Sequence, residues 1–74
     1  MPKLPAISGR EAVAAFGRAG WACMRQRGSH MILVKPGNIA SLSVPDHKEL
    51  AKGTLRALIK AAGLSSGDFL ALLD

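Results

Sequence analysis

The residues of this chain predict a two-layer α+β fold: a three-stranded antiparallel sheet with helices packed on one of its faces. Three observations carry that prediction. A capping signature opens an amphipathic stretch near the start of the chain. Three short runs rich in apolar and branched residues follow, separated by glycine-bearing turns. A second amphipathic stretch and a short apolar one close the chain. The order is therefore helix, three strands, helix, short helix. Amphipathic helices beside so small a sheet must hide their apolar stripes against it. At 74 residues the whole chain, 1–74, is expected to form one domain.

Each element has its own local reason. Residues 1–7 carry two prolines and read as an extended lead-in. Ser8 and Glu11 are spaced as a capping box, the Ser side chain taking one orphan N–H while Glu reaches back to the Ser amide. The helix is expected to run to about Ala19. Ala12, Val13, Ala15, Phe16 and Ala19 fall at helical spacing, and Gly20 sits where a stop is expected. Residues 21–27 read as a first strand, Gly28 and Ser29 as a tight turn, and residues 30–35 as a second strand. Pro36-Gly37 suits the centre of a type II turn. Residues 39–44 read as the third strand, with Ala40, Leu42 and Val44 on one face and Ser41 and Ser43 on the other. After a polar loop, Thr54 is expected to cap a helix reaching about Ala62, whose Leu55, Leu58, Ile59 and Ala62 form one apolar face. Gly63 stops it. Ser65 with Asp68 starts a short last helix holding Phe69, Leu70, Leu72 and Leu73.

Composition excludes several classes. Hydrophobic residues make up 49% and charged residues 20%, a globular balance rather than a disordered one. A single cysteine, Cys23, rules out an internal disulfide and a cysteine zinc site, and points to a cytoplasmic setting. No apolar run approaches the length of a bilayer span, so no membrane partner is expected. Ten Lys and Arg against five Asp and Glu give a formal charge of +5, which favours an acidic partner. Nucleic acid, a membrane surface and an acidic protein all qualify by charge alone, and the charge does not choose among them. The second strand is apolar on both faces, Met31 and Leu33 on one and Ile32 and Val34 on the other. Helices can cover one of them. The other reads either as a contact surface or as two isolated exposed hydrophobes.

The chemistry-bearing residues are few. A histidine titrates near neutrality and can give or take a proton. His30 follows Gly28 and Ser29 at the mouth of a hairpin, with Arg25, Arg27 and Lys35 close in sequence and expected near it. A proton-transfer group among cations is what phosphodiester cleavage requires. On residue type alone, a surface or structural histidine is the plainer reading. His47, in the loop Pro45-Asp46-His47-Lys48, is a second acid/base candidate or a phosphate donor, though a turn histidine bonded to backbone is again plainer. His30, His47 and Asp46 have no recognised zinc spacing, and neither metal nor cofactor is expected. Cys23, mid-strand, reads as a buried inert thiol, and Trp21 as packing against the first helix. Lys52, before Gly53 and Thr54 at the start of the second helix, and Arg56 one turn on, are suited to phosphate.

Four runs, in order, resemble the HicA toxin family. They are Gly20-Trp21, Arg25-Gln26-Arg27-Gly28-Ser29-His30, Val44-Pro45-Asp46-His47 and Lys52-Gly53-Thr54-Leu55-Arg56-Ala57-Leu58-Ile59-Lys60-Ala61-Ala62-Gly63-Leu64. The resemblance covers about residues 8–69. The ordered combination of Gly-Ser-His, Pro-x-His and Gly-Thr-Leu-Arg is specific. It implies an α-β-β-β-α fold like that of the double-stranded-RNA-binding domain. It implies the toxin of a type II toxin–antitoxin pair, cutting RNA without ribosome or metal. His30, the histidine of Gly-Ser-His, would be the active residue, with Gly28 and Ser29 supporting it. Arg25, Arg27, Lys35, His47, Lys52 and Arg56 are the expected RNA contacts. A HicB-type antitoxin would cover the active surface, and the positive charge here suits an acidic partner. Met31 and Leu33 are more apolar than the polar or tyrosine-like residues common there in the family, which reads as an altered substrate contact or an antitoxin interface. The competing readings are a non-catalytic RNA-binding module and an interaction protein whose apolar sheet face binds another polypeptide.

Overall fold

The computed structural model describes residues 3–73. Met1 and Pro2, part of the expected lead-in, lie outside the described residues. The element order is α1 (Gly9–Arg18), β1 (Ala22–Arg27), β2 (His30–Val34), β3 (Leu42–Pro45), α2 (Lys52–Ala61) and α3 (Ser66–Leu72). The strands form one antiparallel sheet in the order β1-β2-β3. The helices occupy one side: α1 packs on β1, β3 and α3, and α2 on β3 and α3. This is the two-layer α+β arrangement read from the sequence.

The helix ends follow from side chains and glycines. Ser8 Oγ accepts the Glu11 N–H at 3.0 Å, and Glu11 Oε1 accepts the Ser8 N–H at 3.0 Å. Ser65 and Asp68 make the same reciprocal pair ahead of α3. At the end of α1, Gly20 takes a φ of 100°. There the Gly20 N–H donates to the Gly17 carbonyl at 3.0 Å and the Trp21 N–H to the Phe16 carbonyl at 3.1 Å. These two bonds satisfy carbonyls that the last helical turn leaves open, and they send the chain into β1.

Two boundaries differ from expectation by more than one residue. The third strand begins at Leu42, not Ile39. The type II turn forms, with Gly37 at φ 82° and the Asn38 N–H on the Lys35 carbonyl at 3.0 Å. Asn38 Oδ1 then accepts the Ala40 N–H at 2.9 Å, a local bond that competes with sheet pairing. Ile39 is left fully exposed and Ala40 falls outside the strand. The second helix begins at Lys52, two residues before the expected cap Thr54. Its N-cap is Ala51, with no side-chain hydrogen bond. The Leu50 N–H, bonded to the Ile7 carbonyl at 2.8 Å, fixes where the chain enters the helix.

Phe16, Phe69, Leu33, Leu42, Leu55 and Val44 are the largest fully buried side chains. The Phe16 and Phe69 rings lie 5.0 Å apart between centroids and tilted by 48°, a favoured aromatic geometry. Leu4 and Ile7 of the lead-in and Leu50 of the β3–α2 loop are also buried. Residues 3–8 form neither helix nor strand, and Leu4 and Ile7 pack this lead-in against the core. Met31 and Leu33 are buried under the helices, which corrects their reading as an interface. The face left bare is that of Ile32 and Val34, both half-buried.

Strand β1 has no buried residue. Cys23 is exposed, against the expectation of a buried thiol. The register explains the edge: Cys23 pairs with Leu33 and Arg25 with Ile32, so Met24 is an extra, unpaired residue. It stands 66% exposed. Trp21, ahead of β1, is buried as expected.

Candidate active site

His30 is the first residue of β2 and is exposed. Gly28 takes a φ of 58° while Ser29 does not go positive, which is the pattern of a type II′ hairpin turn. A Cβ at Gly28 would meet nothing within 4 Å, so glycine is needed there for its backbone freedom alone. Side chains alternate along a strand. With Met31 and Leu33 turned to the helices, His30, Ile32 and Val34 point to the bare face. His30 pairs with Arg27 on β1 and with Pro45 on β3, and Ile32 pairs with Arg25. Paired residues share a face, with Cβ atoms about 5 Å apart directly opposite and about 7 Å on the diagonal. Arg27 and Arg25 therefore stand beside His30 on the uncovered side. Among the described residues, no hydrogen bond occupies its imidazole.

The turn that presents His30 is held from below by Asp46. The Asp46 N–H donates to the Ser29 carbonyl at 2.6 Å. Its carboxylate accepts from Arg10 Nε at 3.2 Å, Arg10 Nη2 at 3.4 Å and Gln26 Nε2 at 3.5 Å. Gln26 Nε2 also donates to the Gly28 carbonyl at 3.2 Å. The guanidinium of Arg10, by hydrogen bond and then by charge, holds the Asp46 carboxyl below the usual carboxylate range. Gln26 and the nearby His47 add to this, against the opposing effect of burial. The Arg10 guanidinium is correspondingly raised, chiefly by its hydrogen bond to Asp46. The Gly9 N–H donates to the His47 carbonyl at 2.9 Å. A Cβ on Gly9 would stand 1.9 Å from the Pro45 carbonyl oxygen, so only glycine admits this approach of α1 to the end of β3.

The other expected site residues are dispersed. Lys35 lies past the far end of β2, its side chain next to Gly20, and not near His30 as the sequence suggested. Five residues of extended strand, about 16 Å, separate the two positions. His47 is exposed and lines a shallow cleft with Ser8, Arg10, Asp46 and Lys48. Lys52 and Arg56 line a different groove, with Lys3 and Lys60. Among the described residues, no cluster of His, Cys, Asp or Glu could hold a metal ion. Nor is any described helix long and apolar enough to cross a membrane. Sequence reasoning missed Gly9 and Gln26 and gave Asp46 no role beyond an improbable zinc site. Gln26 and Asp46 lie within the runs that carry the family resemblance, and Asp46 adjoins His47 in the loop; these were the signals that could have found them.

The family described as HicA toxin of bacterial toxin-antitoxin matches residues 9–64. The chain belongs to the HicA toxin family. The match runs from the first residue of α1 through the sheet and α2, and so includes His30, its flanking arginines and Asp46. Among curated proteins no sequence matches. Among solved structures, the fold is similar to a chain in a toxin-antitoxin complex from Streptococcus pneumoniae, with a TM-score of 0.71 and 34% identity. That alignment covers 78% of this HicA chain and 98% of the other. The three-stranded sheet with helices on one face is consistent with the fold of the double-stranded-RNA-binding domain.

Proposed function

We propose that this HicA protein is an endoribonuclease that works without metal, with His30 as its proton-transfer group. The observation that carries the reading is the free, exposed imidazole at the hairpin mouth, with Arg27 and Arg25 beside it on the face the helices leave bare. In the cleavage step a ribose 2′-oxygen attacks phosphorus and the bond to the 5′-oxygen breaks. The 2′-hydroxyl loses its proton and the leaving oxygen gains one. His30 takes the first proton or supplies the second, and water exchanges the other. Arg25 and Arg27 stabilise the charge that gathers on the phosphate. Gly28 and Ser29 shape the turn, and Asp46 holds it. An acidic antitoxin of the HicB type, laid on the same face, would cover His30 and bury Ile32 and Val34.

The test is degradation of single-stranded RNA by the purified chain in the presence of EDTA. Cleavage is expected, and His30→Ala is expected to abolish it with an unchanged circular dichroism spectrum. Cleavage that survives the substitution removes His30 from the mechanism. RNA left intact by the unmodified chain, yet bound in a salt-sensitive way, would establish the RNA-binding module instead.

A further inference from the structure

Two rows of side chains cross the bare face of the sheet in register. Arg27, His30 and Pro45 form the row at the hairpin end, and Arg25, Ile32 and Ser43 form the next. Same-face residues on a strand repeat at about 6.7 Å, and neighbouring strands lie about 4.8 Å apart. The second row is therefore one such step from His30 and spans about 10 Å from Arg25 to Ser43. Its three members differ in chemistry. Arg25 is an exposed cation, Ile32 a half-buried apolar surface and Ser43 an exposed hydroxyl. Among the described residues, no side-chain hydrogen bond engages the Ser43 hydroxyl. The three strands contain no Asp or Glu, so no strand residue repels a nucleic-acid backbone. A β-branched residue suits a central strand whatever lies over it. The place of Ile32 between a cation and a free hydroxyl, one row from His30, is what points to a ligand.

We propose that Ile32 and Ser43 form a base-reading subsite for single-stranded RNA, on the row next to His30. The proposal rests on the ribonuclease reading above and deepens it by naming the residues that set where the strand is cut. His30 is the first residue of β2, so the sheet continues on one side of it only. On the other side the chain turns through Gly28 and Ser29. A phosphodiester seated at His30 and Arg27 thus has sheet beneath one of its two flanking nucleotides. The phosphates of that strand follow Arg27 and Arg25 on the edge strand, and the flanking base lies inward over Ile32. There the apolar side chain takes the face of the base, in the way single-stranded RNA is read through splayed-out bases. The Ser43 hydroxyl meets the base edge, where it can donate or accept. A base whose edge pairs with this hydroxyl is preferred over one that leaves it unpaired. One row further on, Ala22 and Val34 carry no polar side chain, so the reading stops at a single nucleotide.

A random-sequence RNA pool is digested and the cut positions are sequenced. The unmodified chain is expected to prefer particular bases at one nucleotide flanking the cut and to show no preference at the other. Ser43→Thr and Ser43→Val share a shape that suits a strand, but only the first keeps the hydroxyl. Ser43→Thr should retain the preference, and Ser43→Val should reduce it about fivefold. Ile32→Thr should raise KM about fivefold with kcat unchanged, since a platform holds substrate and transition state alike. A second measurement needs no cleavage. Labelled adenine, cytosine and uracil homopolymers of about 8 nucleotides are bound to proteins carrying His30→Ala and followed by fluorescence anisotropy. Their affinities should differ for the parent and for Ser43→Thr, and converge for Ser43→Val. Affinities unmoved by the Ser43 and Ile32 substitutions overturn the proposal, and are what a face serving only an antitoxin would give. So does an unbiased cut pattern in the unmodified chain. RNA left uncut by the unmodified chain, with affinities that still converge for Ser43→Val, overturns the ribonuclease reading and leaves the subsite standing.

Discussion

Asp46 shows how much one residue can organise. It touches α1 through Arg10, β1 through Gln26 and the hairpin turn through its own backbone N–H. Its carboxyl is held below its ordinary value of 3.8. A depressed carboxyl contributes stability that is complete above the unfolded value and is lost as pH falls through the folded one. The chain should therefore exceed Asp46→Asn in stability at neutral pH, and the gap should close as pH drops below the ordinary carboxylate value. Chemical denaturation of both proteins across that range reads it directly. A gap that persists well into acid would mean the charge is not what matters. His30 is the contrasting residue. It has no such web of its own, and its ring stands free on the bare face of the sheet.

Between elements, the tightest constraint is α1 against the end of β3. The site at Gly9 has no room for a methyl group, because the obstruction is the Pro45 backbone rather than a movable side chain. Gly9→Ala should cost about 1–3 kcal/mol by forcing the helix and strand apart, read as a lowered urea midpoint. On the ribonuclease reading proposed above, the same shift should also slow RNA cleavage, since Pro45 is the strand partner of His30. Equal stability and rate in the variant would show that the approach is not maintained in solution. The edge strand β1 behaves differently. Its bulge at Met24 absorbs one residue while Arg25 and Arg27 keep the face of His30.

For the molecule as a whole, α3 closes the core. It lies wholly beyond residues 9–64 of the family match, yet Phe69 is fully buried against Phe16. Phe69→Ala should cost about 3–5 kcal/mol, a large share of what so small a domain can hold. Thermal unfolding would show it as a much lower midpoint. A small change would mean that α3 rests on the surface rather than completing the fold. The charge is also divided between the layers. His30 and two arginines occupy the sheet face, and four cations line the helical groove.

The elements themselves were legible in the residues. Capping boxes at Ser8 and Ser65, glycines at 20, 28, 37 and 63, and alternation in β2 are local signals, set by backbone sterics and hydrogen bonds between near neighbours. So was His30 as the residue to test, because it combines a turn glycine, neighbouring arginines and a family motif. The start of β3 was misread because the local Asn38 bond overrides the β tendency of Ile39. The start of α2 was misread because Leu50, packed in the core and bonded to Ile7, sets it from a distance. Which face of β2 stayed bare, where Lys35 went, and how Asp46 joined three segments were decided by packing alone. Those contacts link residues far apart in the chain, and no periodicity along a single sequence encodes a neighbour that only folding supplies.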